Sequence, residues 1–188
     1  IEEITKIGVN VSVCVRPGFP NDRVDIEVEQ DLDDLEINGA FHSLKSNGQK
    51  MNRENLEGYV RAFADHIVNV AIKRKASVIV GASDHIVGLA CSIASRELNI
   101  PFIYEMRGIW AFSRAANNIE FSNDPRFNVM LRLERQCAES ATLVICISEP
   151  MKELVESWGI ASSKIIVAPN GSDSEDFLSA DYEKEELG

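Results

Sequence analysis

Apolar positions follow two rhythms along this chain, and the change falls near residue 77. Before it the elements are irregular. Residues 1–7, with Ile1, Ile4 and Lys6, predict the end of a helix closed by Gly8, a glycine just past the last turn. Val9-Asn10-Val11-Ser12-Val13-Cys14-Val15 alternates strictly and predicts a strand, broken by Pro17, Gly18 and Pro20. A short strand is expected at Val24–Val28, a weaker one over Leu35–Leu44, and a turn at Ser46-Asn47-Gly48. A long helix follows, capped by Asn52, with Glu54 in its first turn and Lys73-Arg74-Lys75 at its end, each charge matched to the dipole. Leu56, Tyr59, Val60, Phe63, Ile67, Val70 and Ala71 mark its buried face.

After residue 77 the pattern becomes regular. Short apolar strands are predicted at Ser77–Ala82, Phe102–Met106, Leu143–Ile147 and Lys164–Ala168. Helices are predicted at His85–Leu98, Arg126–Ser140 and Glu149–Trp158, the last stopped by Gly159. Strand alternating with helix is the pattern of βαβ units. Continuous apolar strands are expected where helices cover both faces of a parallel sheet. Right-handed crossovers then predict an α/β fold, a Rossmann-like, doubly wound parallel sheet. One domain is expected over residues 1–178, with 179–188 as the acidic start of a linker or a truncated helix.

The 188 residues and 45% apolar content suit one ordinary domain with a real core. No apolar run is long enough to span a membrane. The start IEEITKIG lacks both an initiator Met and a signal-peptide pattern, so the chain is expected to begin in mid-protein or after processing or trimming. A net charge of −11 with dispersed basic residues disfavours nucleic acid and anionic membrane as partners. Acid concentrates at Asp31–Asp34 and Asp181–Glu186, read as a solvated loop and a solvated tail. Cys14, Cys91, Cys137 and Cys146 have neither C-x-x-C spacing nor a nearby His, and read as small buried hydrophobes in a reducing compartment. The expected location is cytoplasmic, with any approach to the inner face of the membrane left to parts outside this chain.

Ligands of an open parallel sheet bind beyond the carboxyl ends of its strands. The segments there are Arg16-Pro17-Gly18, Ser83-Asp84-His85, Glu105-Arg107-Gly108, Ser148-Glu149 and Pro169-Asn170-Gly171. Four of the five have a plain alternative. His85 suits a helix N-terminus and Ser148 an N-cap hydroxyl, both weighed level with a ligand role. Glu105 and Arg107 suit a local ion pair, although an arginine before a glycine also suits a phosphate or carboxylate. Asn170-Gly171 suits a tight turn with positive φ. Neither G-x-G-x-x-G after a strand, nor a P-loop, nor G-x-S-x-G is present, which disfavours dinucleotide, P-loop and serine-hydrolase sites. Three dispersed histidines, His42, His66 and His85, disfavour a His-based metal site.

Three segments resemble the family 4 retaining glycosyltransferases, in the N-terminal domain of their GT-B fold. They are ASDHIVGLACSIASRELNIPFIYEMRGIW (82–110), LRLERQCAESATLVICISEPMKELVESWGI (131–160), which contains Glu134, and KIIVAPNGSDSEDF (164–177). Their order and spacing match jointly over the latter half of the chain, whereas the first 75 residues match loosely. By this resemblance the chain is expected to start after the family's usual first strand and glycine-rich loop, and it has Ala111 where relatives often carry an acid.

The resemblance implies sugar transfer from a nucleotide sugar to a sugar or lipid-linked acceptor with retained configuration. The work is expected in surface polysaccharide or glycoconjugate synthesis, with no cofactor or metal. It places the donor on a second domain and the acceptor on this one, so this chain alone is expected to be inert. Ser83, His85, Glu105, Arg107 and Gly108 are then expected to line the cleft floor. Trp110 would be an apolar platform, against the alternative of a core aromatic, weighed at least level with it. Ser148 would lie near the cleft and Asn170-Gly171 at the interdomain passage, and no general base is assigned. An exposed interdomain face would offer a route to homodimers. The rival readings are a non-catalytic ligand-binding module of the same fold and a GT-B sugar-nucleotide epimerase.

Overall fold

The computed structural model describes residues 2–22, 31–45, 50–51 and 53–171. The expected strand at Val24–Val28, turn at Ser46-Asn47-Gly48, cap at Asn52, domain boundary after residue 178 and acidic tail lie outside the described residues.

The chain opens with α1 (Glu2–Lys6), which ends at Gly8 with φ 86°, the C-cap expected there. Strand β1 (Val11–Cys14) lies parallel to β3 (Ala40–Leu44), and β2 (Leu32–Ile37) lies antiparallel to β3. The single weak strand expected over Leu35–Leu44 is therefore a hairpin. Asn38 and Gly39 both take positive φ, 49° and 75°, between the paired residues Ile37 and Ala40. A two-residue Asn-Gly connection matches the right-handed twist of its strands, which is why it is a strong hairpin signal.

The acids at Asp31–Asp34 are not a loop either: Asp34 lies inside β2, at an irregularity in the register. Its carboxylate pairs with Lys73 and Arg74, and the Lys73 hydrogen bond is the main cause holding its pKa below the usual range. The Arg74 guanidinium also sits 3.7 Å above the Phe41 ring. The hairpin is thus fastened to the end of helix α2 (Leu56–Arg74). The cap of α2 is Asn55, whose Oδ1 accepts the Gly58 amide at 3.1 Å.

The remaining elements alternate as expected: β4 (Ile79–Ala82), α3 (His85–Leu98), β5 (Phe102–Met106), α4 (Trp110–Asn117), α5 (Pro125–Ser140), β6 (Leu143–Cys146), α6 (Glu149–Ser157) and β7 (Ile165–Val167). Helix α4 is the one the sequence reading omits. No side chain caps its start, and its burial rests on Ala111 alone. Strands β4 to β7 are all parallel and lie in sequential order. The architecture is α/β, Rossmann-like and doubly wound, consistent with one half of a GT-B fold.

Register sorts the strand residues by face. Ile79, Phe102, Tyr104, Val144, Ile165, Met106 and Cys146 share one face, and all are buried. Against it lie the core residues of α3 and α5, Ala90, Cys91, Ala94, Cys137 and Ala138. The alternate face carries Val80 and Ile166, which are half exposed. Among the described residues, then, helices do not cover both faces equally. Helix α3 packs closely at Gly88, where a Cβ would stand 2.7 Å from Cys137 Sγ and 2.9 Å from the Tyr104 ring. That approach brings α3 against both α5 and β5, and it places His85, one turn earlier, over the carboxyl edge of the sheet.

Candidate functional site

Parallel pairing brings the strand ends to one edge, because Ala82 pairs with Glu105, Glu105 with Ile145, and Cys146 with Val167. The segment leaving β4 is tightly held. Ser83 takes φ 95°, a costly value for a residue with a Cβ. Its amide donates to Glu105 O at 3.1 Å, and its carbonyl accepts the Tyr104 hydroxyl at 3.3 Å. Asp84 then caps α3, with Oδ1 accepting the amides of Ile86 and Val87 at 3.0 and 3.1 Å.

His85 is the first residue of α3 and lies beside Glu134, a wholly buried glutamate on α5. Oε1 of Glu134 accepts the His85 amide at 3.2 Å and lies 3.3 Å from its Nδ1. Oε2 accepts the Tyr104 hydroxyl. The Cys137 thiol contacts the His85 carbonyl at 3.5 Å. Burial, then the neighbouring Glu134, pushes the Tyr104 pKa far up, so this phenol stays protonated and donates. A carboxyl taken from water is costly unless its lone pairs find donors, and three groups around Glu134 serve this purpose.

The other expected residues are less enclosed. Glu105 and Arg107 form the local ion pair allowed for them, Nε to Oε1 at 2.9 Å and Nη2 to Oε2 at 3.3 Å. The Arg107 side chain remains 59% exposed, which leaves it able to meet a ligand anion as well. A Cβ on Gly108 would meet nothing within 4 Å, so space is open above it. Trp110 opens α4 and is 50% exposed, which corrects the alternative of a core aromatic. Ser148 is an N-cap, its Oγ accepting the Met151 amide at 3.4 Å. Asn170 and Gly171 are exposed beyond β7, and neither takes a positive φ.

The structure therefore gathers Ser83, His85, Glu105 and Arg107 around the ends of β4 and β5. Asn170 and Gly171 follow β7, three strand spacings from β4, or roughly 14 Å. The sequence reading left Glu134 and Tyr104 without a role. A signal existed: Glu134 stands with Met130, Leu131, Cys137 and Ala138 on the packed stripe of α5, where an acid needs partners. No group of three or more His, Cys, Asp or Glu able to hold a metal occurs among the described residues. None of the described helices is long and apolar enough to cross a membrane.

Residues 1–171 match the model of the Glycosyl transferase 4-like domain, and the chain belongs to that family. No curated protein matches it. Among solved structures, sucrose-phosphate synthase from Thermosynechococcus elongatus is similar over 93% of this chain and 41% of its own, with 16% identity and a TM-score of 0.68. UDP-GlcNAc 2-epimerase from Neisseria meningitidis, bound to UDP-GlcNAc, is similar over 66% of this chain and 30% of its own, with 19% identity and a TM-score of 0.48. The corresponding epimerase from Methanocaldococcus jannaschii, in complex with UDP-GlcNAc and UDP, gives 19% identity and a TM-score of 0.46 over 66% and 30%. The chain spans well under half the length of each of these proteins, and at such identities the likeness is one of fold.

Proposed function

We propose that this chain is half of a GT-B enzyme acting on a nucleotide sugar, and that its share of the site is the carboxyl edge of β4 and β5. The observation that carries the reading is the family match over residues 1–171, coupled to the gathering of His85, Glu105 and Arg107 at that edge. In this reading Ser83, His85, Glu105, Arg107 and Gly108 line the cleft floor. Trp110 offers its exposed ring to a sugar or lipid-linked acceptor, since an aromatic face suits the apolar side of a pyranose. Ser148 lies near the cleft, and Asn170-Gly171 leads toward a second domain that holds the nucleotide. Closure of two such halves would exclude water that otherwise hydrolyses the donor.

Transfer to an acceptor, as in surface polysaccharide assembly, is one outcome of that site. Sugar-nucleotide epimerisation is the other. Product analysis separates them: the parent protein is incubated with UDP- and GDP-sugars, with and without candidate acceptors. Release of nucleoside diphosphate with a new glycoside means transfer, and an epimeric sugar nucleotide means epimerisation. Failure to bind or turn over any of them, by calorimetry and product analysis, would favour a ligand-binding module and end the nucleotide-sugar reading.

A further inference from the structure

We propose that Glu134 is a positioning residue that fixes the tautomer of His85, so that Nε2 carries the lone pair at the carboxyl edge of the sheet. The purpose given to that nitrogen rests on the cleft reading above, whereas the tautomer follows from contacts within this chain.

Oε1 of Glu134 already accepts the His85 amide at 3.2 Å. An oxygen in that role is an acceptor whether or not a proton sits on Oε2. With Oε1 bare of a proton, the Nδ1 atom 3.3 Å from it is the donor of that contact. In a neutral ring this leaves Nε2 unprotonated. About a tenth of the His85 side chain remains exposed. The ring is anchored at its inner nitrogen and open at its outer one.

The anchor is itself anchored. Tyr104 donates to Oε2 and reaches the Ser83 carbonyl at 3.3 Å, so one phenol ties Glu134 to the positive-φ residue before the helix cap. Gly88 lets α3 close on Cys137 and Tyr104, which keeps His85 within reach of α5. Three elements thus converge on the orientation of one imidazole. In the neutral ring Nε2 can accept from a ligand hydroxyl and has no hydrogen to give a phosphate oxygen, so that form favours a sugar or polyol group at this point over a diphosphate.

The test is long-range proton–nitrogen NMR on the histidine-labelled protein near pH 8, where an ordinary imidazole is neutral. Three ring systems are expected, from His42, His66 and His85, and the His85→Asn variant assigns the third. The wild-type protein should show His85 protonated at Nδ1 and bare at Nε2. Glu134→Gln keeps an acceptor carbonyl and should preserve this form. Glu134→Met removes the acceptor and should lower the Nδ1–H to Nε2–H ratio by about tenfold or more, as loss of one strong buried hydrogen bond implies. A wild-type His85 protonated at Nε2 overturns the proposal whether or not the Met variant folds. So does an unchanged ratio in a folded Glu134→Met protein. Because no nucleotide sugar enters the measurement, a confirmed tautomer in an enzyme that turns over no sugar nucleotide would remove the proposed function and leave the positioning role standing.

Discussion

Tyr104→Phe removes one oxygen from a site where every other atom of the ring is retained. The hydroxyl is buried and has two partners, Oε2 of Glu134 and the Ser83 carbonyl at 3.3 Å. The ring keeps its packing against Phe102, 6.0 Å between centroids, so the change isolates the polar contact. Losing it leaves a buried carboxyl oxygen without its donor, a cost of about 1–3 kcal/mol. For a chain of this length each kcal/mol lowers Tm by roughly 2–4 °C, so a fall of about 4–8 °C is expected for a cost of about 2 kcal/mol. Thermal unfolding followed by circular dichroism reads it directly. A Tm within about 1 °C of wild type would refute the network, since it would mean that water or a rearranged Glu134 replaces the phenol at no cost. The same contact has a pH signature. The folded Tyr104 pKa lies above its ordinary value of 10.0, so its contribution is complete below that value and declines as pH rises beyond it, where the unfolded chain ionises first. Spectrophotometric titration should find this tyrosine silent until the protein unfolds.

Gly88→Ala gains about 1 kcal/mol of helix propensity but drives a Cβ to within 2.7 Å of Cys137 Sγ, and overpacking of this kind costs about 1–3 kcal/mol. The variant should be no more stable than wild type and should disturb the His85 resonances; a Tm gain of several degrees would show that α3 does not approach so closely. Gly108→Ala, with nothing within 4 Å of the new methyl, should leave Tm unchanged and serves as the matched control. Burial pushes the thiols of Cys14 and Cys91 up to about 12 and that of Cys146 up to about 11, with Cys137 raised as well, so a thiol reagent at pH 8 should label the native protein slowly and all four sites rapidly in denaturant. Fast native labelling of Cys91 or Cys137 would contradict the packing of α3 on α5.

Much of the sheet was legible because its signals are local. Helix α3 was read at His85–Leu98 from its apolar run and β5 at Phe102–Met106 from its own, and both ranges agree with the structure. The hairpin was missed although Asn38-Gly39 names its turn, because β2 interrupts its own alternation at the Asp34 irregularity. Helix α4 was missed because eight residues with one buried side chain give no period to read. At the site, position followed from topology: residues just past β4 and β5 had to share an edge. The contact between His85 and Glu134 spans 49 positions in sequence, and no spacing rule reaches across it.

The same long reach explains why the site is rigid where it is polar. Ser83 holds an unfavourable φ, and such a conformation persists only when its surroundings over-determine it. Here the surroundings are a sheet amide bond to Glu105, a phenol on its carbonyl and a cap one residue later. Removing the phenol should therefore do more than cost stability. The peptide after Ser83 would lose a restraint, and His85 would lose part of the frame that sets its ring. Arg107 stands differently, on an exposed ion pair that holds little energy and can be exchanged for a ligand without disturbing the fold. The edge thus pairs a fixed imidazole with an adaptable guanidinium. Under the proposed function, that combination would suit a ligand whose hydroxyl must be placed closely while its charge varies in position.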